Sequence, residues 1–254
     1  MTTPKPEQLV PGITLYQGDC LDVLRTLEPG RVDAVITDPP YSERTHKGHD
    51  ATASGHAGGG WDGADRKRLD YAPWTQTDVR RVVPELCRVS AGWVVVMTDH
   101  VLAPSIMAAM EQCGRYVFAP LPFYAPGSRC RLSGDGPSAW TIWIVVGRTK
   151  RQSKWGTLPG GYSPDGKGIW RDKEHMGGKP TGLMRALVRD YSRAGGTIFA
   201  PFAGSGTTGV AAALEGRKCI LIEQDPTYCD VIRRRIDEVY QQTPGTLFAE
   251  IPTC

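Results

Sequence analysis

The sequence predicts an α/β fold in which helices cover both faces of a doubly wound, mostly parallel sheet. Apolar, strand-like runs alternate with amphipathic, helix-like runs over most of the 254 residues, which is the pattern of repeated βα units. A Gly-rich turn, "FAGSG" at 202–206, joins one such strand to the next helix, as in folds that bind ligands at the carboxyl edge of a parallel sheet. We therefore expect one α/β domain over 1–254.

The strand-like runs are short, apolar and rich in β-branched residues. They lie at 13–18, 32–38, 92–99, 139–147, 196–202 and 218–224. An extended run at 116–124 is broken by prolines, which remove backbone donors.

The helix-like runs have apolar residues at helical spacing. They lie at 20–28, 76–89, 102–113, 181–192, 207–216 and 226–242. Thr77 or Asp78 is the candidate N-cap of the helix at 76–89, and Pro84 is expected to kink or end it. Pro226 suits the first turn of the last helix.

Two segments fall outside this alternation. Residues 43–70 contain six glycines and three histidines without apolar periodicity, and we interpret them as a mobile functional loop. Residues 148–178 combine seven lysines and arginines with Trp155, Tyr162 and Trp170. We interpret this second segment as a small insert.

Composition places the protein among ordinary soluble globular proteins, with 40% hydrophobic and 22% charged residues and a net charge of +3. No apolar run is long enough to span a membrane, and no secretion signal is evident at the start of the sequence. The seven cysteines form no CxxC pair, so we expect reduced thiols and a cytoplasmic protein. His46 and His49 lack partners at metal-ligand spacing, so no metal site is expected.

The stretch "TDPPYS" at 37–42 follows the apolar run "VDAVI". Two successive prolines fix two φ angles and remove two donors, so this turn is expected to be nearly rigid. The rigidity indicates that Asp38, Pro39, Pro40 and Tyr41 are accurately positioned for chemistry.

The turn at 202–206 is a second candidate site. Its glycines free the backbone and allow a ligand to approach closely, and the helix that begins at Thr207 offers unpaired N–H groups. The next strand ends in Glu223, at about the position where an acid binds ribose hydroxyls in nucleotide-binding folds.

Together, "DPPY", "FAGSG" and the "KP" at 179–180 resemble the S-adenosylmethionine-dependent amino-methyltransferases of DNA, over about 13–240. The order of the motifs resembles the permuted beta class. That resemblance implies a seven-stranded, Rossmann-like methyltransferase sheet with a catalytic half at 13–147, a target-recognition insert at 148–178 and a cofactor-binding half at 179–242.

The resemblance also assigns roles to residues. The Asp38 carboxylate and the Pro39 carbonyl would accept hydrogen bonds from the target amine, and Tyr41 would stack on the flipped-out base. The residues implied for S-adenosylmethionine are Asp19, Cys20, Lys179, Phe202, Ala203, Gly204, Ser205, Gly206, Thr207 and Glu223. Asp19 reads equally well as a helix N-cap.

One residue departs from the family pattern. The family commonly has Asp-Pro-Phe where this chain has "APF", so Ala200 replaces a carboxylate that is expected near the methionine end of the cofactor. We expect either weaker cofactor binding or another acid that takes the place of this carboxylate.

The implied partner is double-stranded DNA. The residues expected to contact it are Arg148, Lys150, Arg151, Lys154, Trp155, Arg171 and Lys173, although a solvated basic face would show the same pattern. A homodimer is one possible oligomeric state, and the source would be a bacterial or phage-infected cell.

Three functions stay open from the sequence. The first is methylation of the N6 amine of adenine, which "DPPY" favours, with the N4 amine of cytosine as its close alternative. The second is a DNA-binding relative without turnover, which Ala200 suggests. The third is a protein or RNA methyltransferase.

Overall fold

The computed structural model describes residues 4–47, 71–125, 140–149, 155–163 and 179–242. The strands are β1 (Pro6–Val10), β2 (Ile13–Gln17), β3 (Val32–Thr37), β4 (Ser90–Thr98), β5 (Tyr116–Val117), β6 (Leu121–Ala125), β7 (Trp140–Arg148), β8 (Thr197–Ala200) and β9 (Lys218–Glu223). The helices are α1 (Cys20–Leu24), α2 (Gln76–Val89), α3 (Ala103–Gln112), α4 (Thr181–Tyr191), α5 (Thr207–Leu214) and α6 (Pro226–Gln242).

The described strands form one mixed sheet in the order β1-β2-β9-β8-β3-β4-β7-β5, with β6 also paired to β7. Strands β2, β9, β8, β3 and β4 pair in parallel, whereas β1, β5, β6 and β7 pair antiparallel. Among the described residues, the expected seven-stranded, mostly parallel sheet is therefore corrected to nine strands, with antiparallel strands on both sides of a parallel centre.

Helices cover both faces of the sheet. One apolar cluster joins α4, α5 and α6 to side chains such as Ile36, Ile198 and Leu221. The other joins α1, α2 and α3 to the alternate side chains, among them Val35 and Phe199. The parallel strands are buried on both faces, which explains their continuous apolar sequence and confirms the doubly wound arrangement.

Two added strands account for the difference in strand count. Strand β1 pairs antiparallel with β2 across the turn at 11–12, and the expected strands did not include it because its sequence is short and largely exposed. The run at 116–124 divides into β5 and β6, which pair with different parts of β7. Pro120 lies between them and has no backbone donor.

The start of α2 is also corrected. Thr75 is its N-cap, and Thr75 and Asp78 exchange hydrogen bonds in a capping box, so Asp78 is the third helical residue and Thr77 is not the cap. Pro84 lies inside α2 without ending it, since the helix runs on to Val89. Helix α1 ends at Leu24, four residues earlier than expected.

Candidate active site

The carboxyl ends of three parallel strands, β3, β8 and β9, bring the two sequence motifs together. Val35 pairs with Phe199, and Ala200 pairs with Leu221. If the first register is continued by three residues, Asp38 is level with Phe202. If the second is continued by two residues, Phe202 is level with Glu223. With neighbouring strands about 4.8 Å apart, the three positions span about 10 Å along one edge of the sheet.

Asp38 forms an ion pair with Lys179, which precedes α4. The Asp38 Oδ2 atom is the partner of Lys179 Nζ, and the two side chains are 23% and 10% exposed. The other oxygen, Oδ1, is buried and forms no hydrogen bond with any residue that the structure describes. One oxygen of the carboxylate is thus held by a cation, and the other has no hydrogen bond of standard geometry in the described chain, although the Tyr41 hydroxyl also interacts with this carboxylate.

Tyr41 packs against the same pair. Its ring is buried and lies 4.9 Å from Lys179 Nζ, a cation–π contact. Burial, and then the charge of Asp38, hold the pKa of Tyr41 well above its ordinary value. The hydroxyl therefore stays protonated, although within the described part of the chain it makes no hydrogen bond of standard geometry.

The Gly-rich turn requires its glycines. Gly204 and Gly206 have φ angles of +51° and +80°, in the left-handed region that side chains disfavour. A Cβ at Gly206 would lie 3.0 Å from Ile232 Cγ1, whereas a Cβ at Gly204 would meet no atom within 4 Å. The turn is thus tight against α6 at Gly206 and open at Gly204.

Arg235 of α6 holds this turn from behind. Its guanidinium donates to the Ser205 carbonyl at 2.7 Å, and to the Ser205 and Thr207 hydroxyls at 3.1 Å each. Ala203 is buried as well, so the backbone of the turn is well supported.

Glu223 ties the end of β9 to the Gly-rich turn. Its Oε2 accepts from Gly204 N at 2.7 Å, and Oε1 accepts from the N–H groups of Gln224 and Asp225. Burial raises the pKa of the Glu223 carboxyl, against the opposing effect of these backbone donors.

Asp19 is the N-cap of α1, and its carboxylate accepts from Leu21 N at 2.8 Å. The N-cap interpretation is confirmed, and Gln17, at the end of β2, pairs with Glu223, so Asp19 also follows the same edge of the sheet. Burial, and then the Asp19 charge, raise the pKa of Cys20 to about 12. Its thiol therefore remains protonated.

Ala200 is fully buried at the end of β8, in the apolar cluster beneath α4, α5 and α6. The methyl group fills space within the core. The position thus carries no charge for a cofactor to meet.

The structure does not bring Arg148 and Trp155 to this edge. Arg148 pairs with Trp93 at the start of β4, at the opposite end of the parallel strands from Asp38, and it lies over the Tyr116 ring. Trp155 packs on Trp93, and its indole N–H donates to the Asp190 carbonyl at 2.7 Å. Lys150, Arg151, Lys154, Arg171 and Lys173 lie outside the described residues.

Trp74 and Asp99 were missed by sequence reasoning. The Trp74 ring contacts Phe202 edge to face, with centroids 5.2 Å apart, so it connects the two motifs. Asp99 accepts from Ser42, directly after the "DPPY" turn. No local sequence pattern distinguishes Trp74 as part of the site. Asp99, an acid directly after a strand-like run, could have been recognised as a candidate.

A family model described as DNA methylase, the N6/N4 methyltransferases, matches residues 128–234. Over these residues, which are fewer than half of the chain, the protein is similar to the N6/N4 DNA methyltransferase family. The matched range contains the Gly-rich turn and Glu223 but not Asp38.

Similar proteins extend over more of the chain. The Type II methyltransferase M2.MboI of Moraxella bovis is 24% identical, over 89% of this chain and 88% of its own length. The crystal structure of the M1.HpyAVI–SAM complex superposes with a TM-score of 0.64 at 18% identity, over 89% of this chain and 99% of that one. The PvuII DNA methyltransferase, cytosine-N4-specific, gives 0.60 at 14% identity, over 91% and 92%.

These structures show that the chain has a methyltransferase-like α/β fold with a mixed sheet. Among the described residues, no group of three or more His, Cys, Asp or Glu side chains is placed to hold a metal ion. No helix in the described ranges is both long and apolar enough to cross a membrane.

Proposed function

We propose that the protein transfers a methyl group from S-adenosylmethionine to the N6 amine of an adenine that is flipped out of double-stranded DNA. The observation that carries this proposal is the meeting of Asp38 and the Gly-rich turn at the carboxyl ends of the adjacent parallel strands β3 and β8. An acceptor for an amine and a cradle for a cofactor thus lie about one strand spacing apart.

Asp38 suits the chemistry of an exocyclic amine. Such an amine is a poor nucleophile because its lone pair is delocalised into the base. An acceptor that binds its N–H favours the pyramidal form and stabilises the positive charge that develops on nitrogen. Asp38 Oδ1, buried and without a described hydrogen bond, supplies that acceptor, and the Pro39 carbonyl is the second.

Lys179 acts on the carboxylate in this arrangement. By pairing with Oδ2 it orients the Asp38 carboxylate, and it leaves Oδ1 for the amine. This role differs from direct contact with the cofactor, which the resemblance implied for Lys179.

Tyr41 is the ring on which the target base would stack. Only 8% of its surface is exposed, so stacking requires the side chains that bury it to move. Base flipping costs a few kcal/mol, and stacking on this ring offsets part of that cost.

The residues around the Gly-rich turn fit S-adenosylmethionine. The space beside Gly204 admits a ligand close to the backbone, the start of α5 offers N–H groups, and Glu223 and Asp19 present carboxylates for ribose and adenine donors. The cofactor, when bound, supplies an electrophilic methyl group on a sulfonium. Ala200 offers no charge to its methionine ammonium, so we expect weak cofactor affinity.

Cytosine-N4 methylation is the second candidate. The PvuII enzyme, which is cytosine-N4-specific, shares the fold over 91% of this chain. Both amines require the same acceptors, and the identity of the base is then decided by the pocket around Tyr41.

Several further assignments belong to the same proposal. We assign a catalytic half to 13–147, target recognition to 148–178, cofactor binding to 179–242 and a mobile, closing loop to 43–70. DNA contacts by Arg148 and Trp155 would require the duplex to reach the amino-terminal end of the parallel strands, opposite to Asp38. A cytoplasmic enzyme of a bacterial or phage-infected cell fits this activity.

The test is transfer of tritiated methyl from S-adenosylmethionine to mixed-sequence duplex DNA, followed by chromatography of the labelled nucleosides. Asp38→Ala is compared with Asp237→Ala, which changes an exposed acid on α6. Label in N6-methyladenine that is lost only in Asp38→Ala supports the proposal. Label in N4-methylcytosine would retain the mechanism but make cytosine the target base. Cofactor binding by calorimetry without any transfer favours a DNA-binding relative or a different substrate.

A further inference from the structure

Asp99, directly after β4, is buried with 5% of its surface exposed. Within the described chain its carboxylate accepts hydrogen bonds from two separate segments. Its Oδ1 accepts from Val101 N and Leu102 N, each at 3.0 Å. Its Oδ2 accepts from the Ser42 N–H at 2.9 Å, and from the hydroxyls of Ser42 at 2.5 Å and Thr45 at 2.6 Å. One oxygen therefore organises the start of α3, and the other binds the chain that follows Tyr41.

The peptide group between Tyr41 and Ser42 is held on both sides. Its N–H donates to Asp99, and its carbonyl accepts from Trp74 N at 2.9 Å. A peptide group is planar, so fixing both its N–H and its C=O fixes the orientation of the backbone at Tyr41.

The turn needs this external support because it contains few donors of its own. Pro39 and Pro40 have no N–H with which to bond back to the strands. Their rings fix φ but leave the position of the turn relative to the sheet to the residues on either side. β3 holds the turn before Asp38, and the peptide after Tyr41 holds it on the other side.

We propose that Asp99 is a positioning residue for the turn Asp38–Tyr41, acting through the Tyr41–Ser42 peptide and the Thr45 hydroxyl. It contacts neither substrate nor cofactor in this role. The inference rests on the proposed function for its catalytic consequence, whereas the hold on the turn is independent of it.

Asp99→Asn tests the two oxygens separately. The amide retains one acceptor for the start of α3, but its NH₂ group faces the Ser42 N–H, and two donors cannot bond to each other. A buried donor without a partner, in place of a charge-assisted bond, is expected to displace the turn.

Variants of Thr45 test its hydrogen bond to Asp99 alone. Thr45→Val removes a hydroxyl at constant shape, and Thr45→Ser retains it, so only the former should lose the bond to Asp99. Ser90→Ala is the control for stability. It removes a buried hydrogen bond, from Ser90 to the Trp93 carbonyl, at the far end of the same strand.

The experiment measures methyl transfer kinetics, cofactor affinity by calorimetry and hydrogen–deuterium exchange of peptides that cover 38–46. Asp99→Asn is expected to lower kcat about tenfold or more, to leave the Kd for S-adenosylmethionine within about twofold of that of the wild type and to speed exchange at 41–42. Thr45→Val should show a smaller change in the same direction, Thr45→Ser should restore the wild-type values, and Ser90→Ala should retain kcat.

Two results would overturn the proposal: exchange at 41–42 that is unchanged in Asp99→Asn, or an unchanged kcat in a wild type that transfers methyl. If Asp99→Asn does not fold, Thr45→Val against Thr45→Ser decides by the same readouts. A wild type that transfers no methyl defeats the proposed function alone, since exchange still reports whether Asp99 holds the turn.

Discussion

Removal of the Lys179 charge tests whether the ion pair with Asp38 shapes the site. In Lys179→Met the Asp38 carboxylate loses its cation, and its other oxygen already has no described hydrogen bond. Breaking a fully buried pair costs about 3–5 kcal/mol. Because Asp38 is 23% exposed, water recovers part of this, and we expect a loss of about 2–3 kcal/mol in the free energy of unfolding.

The assay is urea unfolding of a double-mutant cycle. Lys179→Met with Asp38→Asn leaves no unpaired charge, so the double variant should unfold within about 1 kcal/mol of the wild type, with a coupling energy of about 2 kcal/mol. Glu238→Gln is the control, since its pair with Arg234 is exposed and its loss should change stability by about 0.5 kcal/mol or less.

The reasoning fails if Lys179→Met is as stable as the control variant. It fails equally if the double variant is as unstable as Lys179→Met, because the loss would then come from packing of the Lys179 stem and not from an unpaired carboxylate. Measured m-values must stay constant across the cycle for these comparisons to hold.

Three further predictions concern stability. Gly206→Ala should cost more than Gly216→Ala by about 1 kcal/mol or more in unfolding free energy, since both have positive φ but only Gly206 lacks room beside Ile232; equal losses would contradict this. Burial raises the pKa of Asp99, but hydroxyl and backbone donors outweigh it, and the net pKa is lowered. The stabilisation that the Asp99 carboxylate gives the fold is therefore present above the unfolded-state pKa of about 4 and is lost as pH falls through the lower folded-state pKa. The difference in stability between the wild type and Asp99→Asn, followed by thermal unfolding, should narrow on acidification. Trp155→Ala should lower the melting temperature clearly but change DNA affinity in a binding titration little, because its indole packs against the core and donates to a backbone carbonyl.

The parallel centre of the sheet and its helices were predicted because their signals are local. Continuous apolar runs such as "WVVVM" in β4 are buried on both faces, and α6 has the bounds that its periodicity and Pro226 indicate. Edge strands carry weaker signals. β1 is mostly exposed and short, so neither its composition nor its pattern distinguished it from a loop.

The candidate site was predicted where backbone chemistry constrains the residue type. Prolines in the turn at 38–41 and glycines at 204 and 206 have few alternatives in sequence, because proline fixes φ and glycine permits the positive φ that the second turn requires. Arg235 and Trp74 support the same turns through side-chain contacts that many residue types could replace. Nothing local in their neighbourhoods distinguishes such residues.

The sequence by itself determined the α/β class, the two turns and the residue types at them, since these depend on local periodicity and on backbone preference. Only the tertiary structure decided that Lys179 pairs with Asp38, that Asp99 holds the peptide after Tyr41 and that Arg148 lies at the opposite edge of the sheet. Each of these depends on the order and register of strands that are distant in the chain. Register is set by the packing of the whole sheet against its two helical layers, and no short segment contains that information.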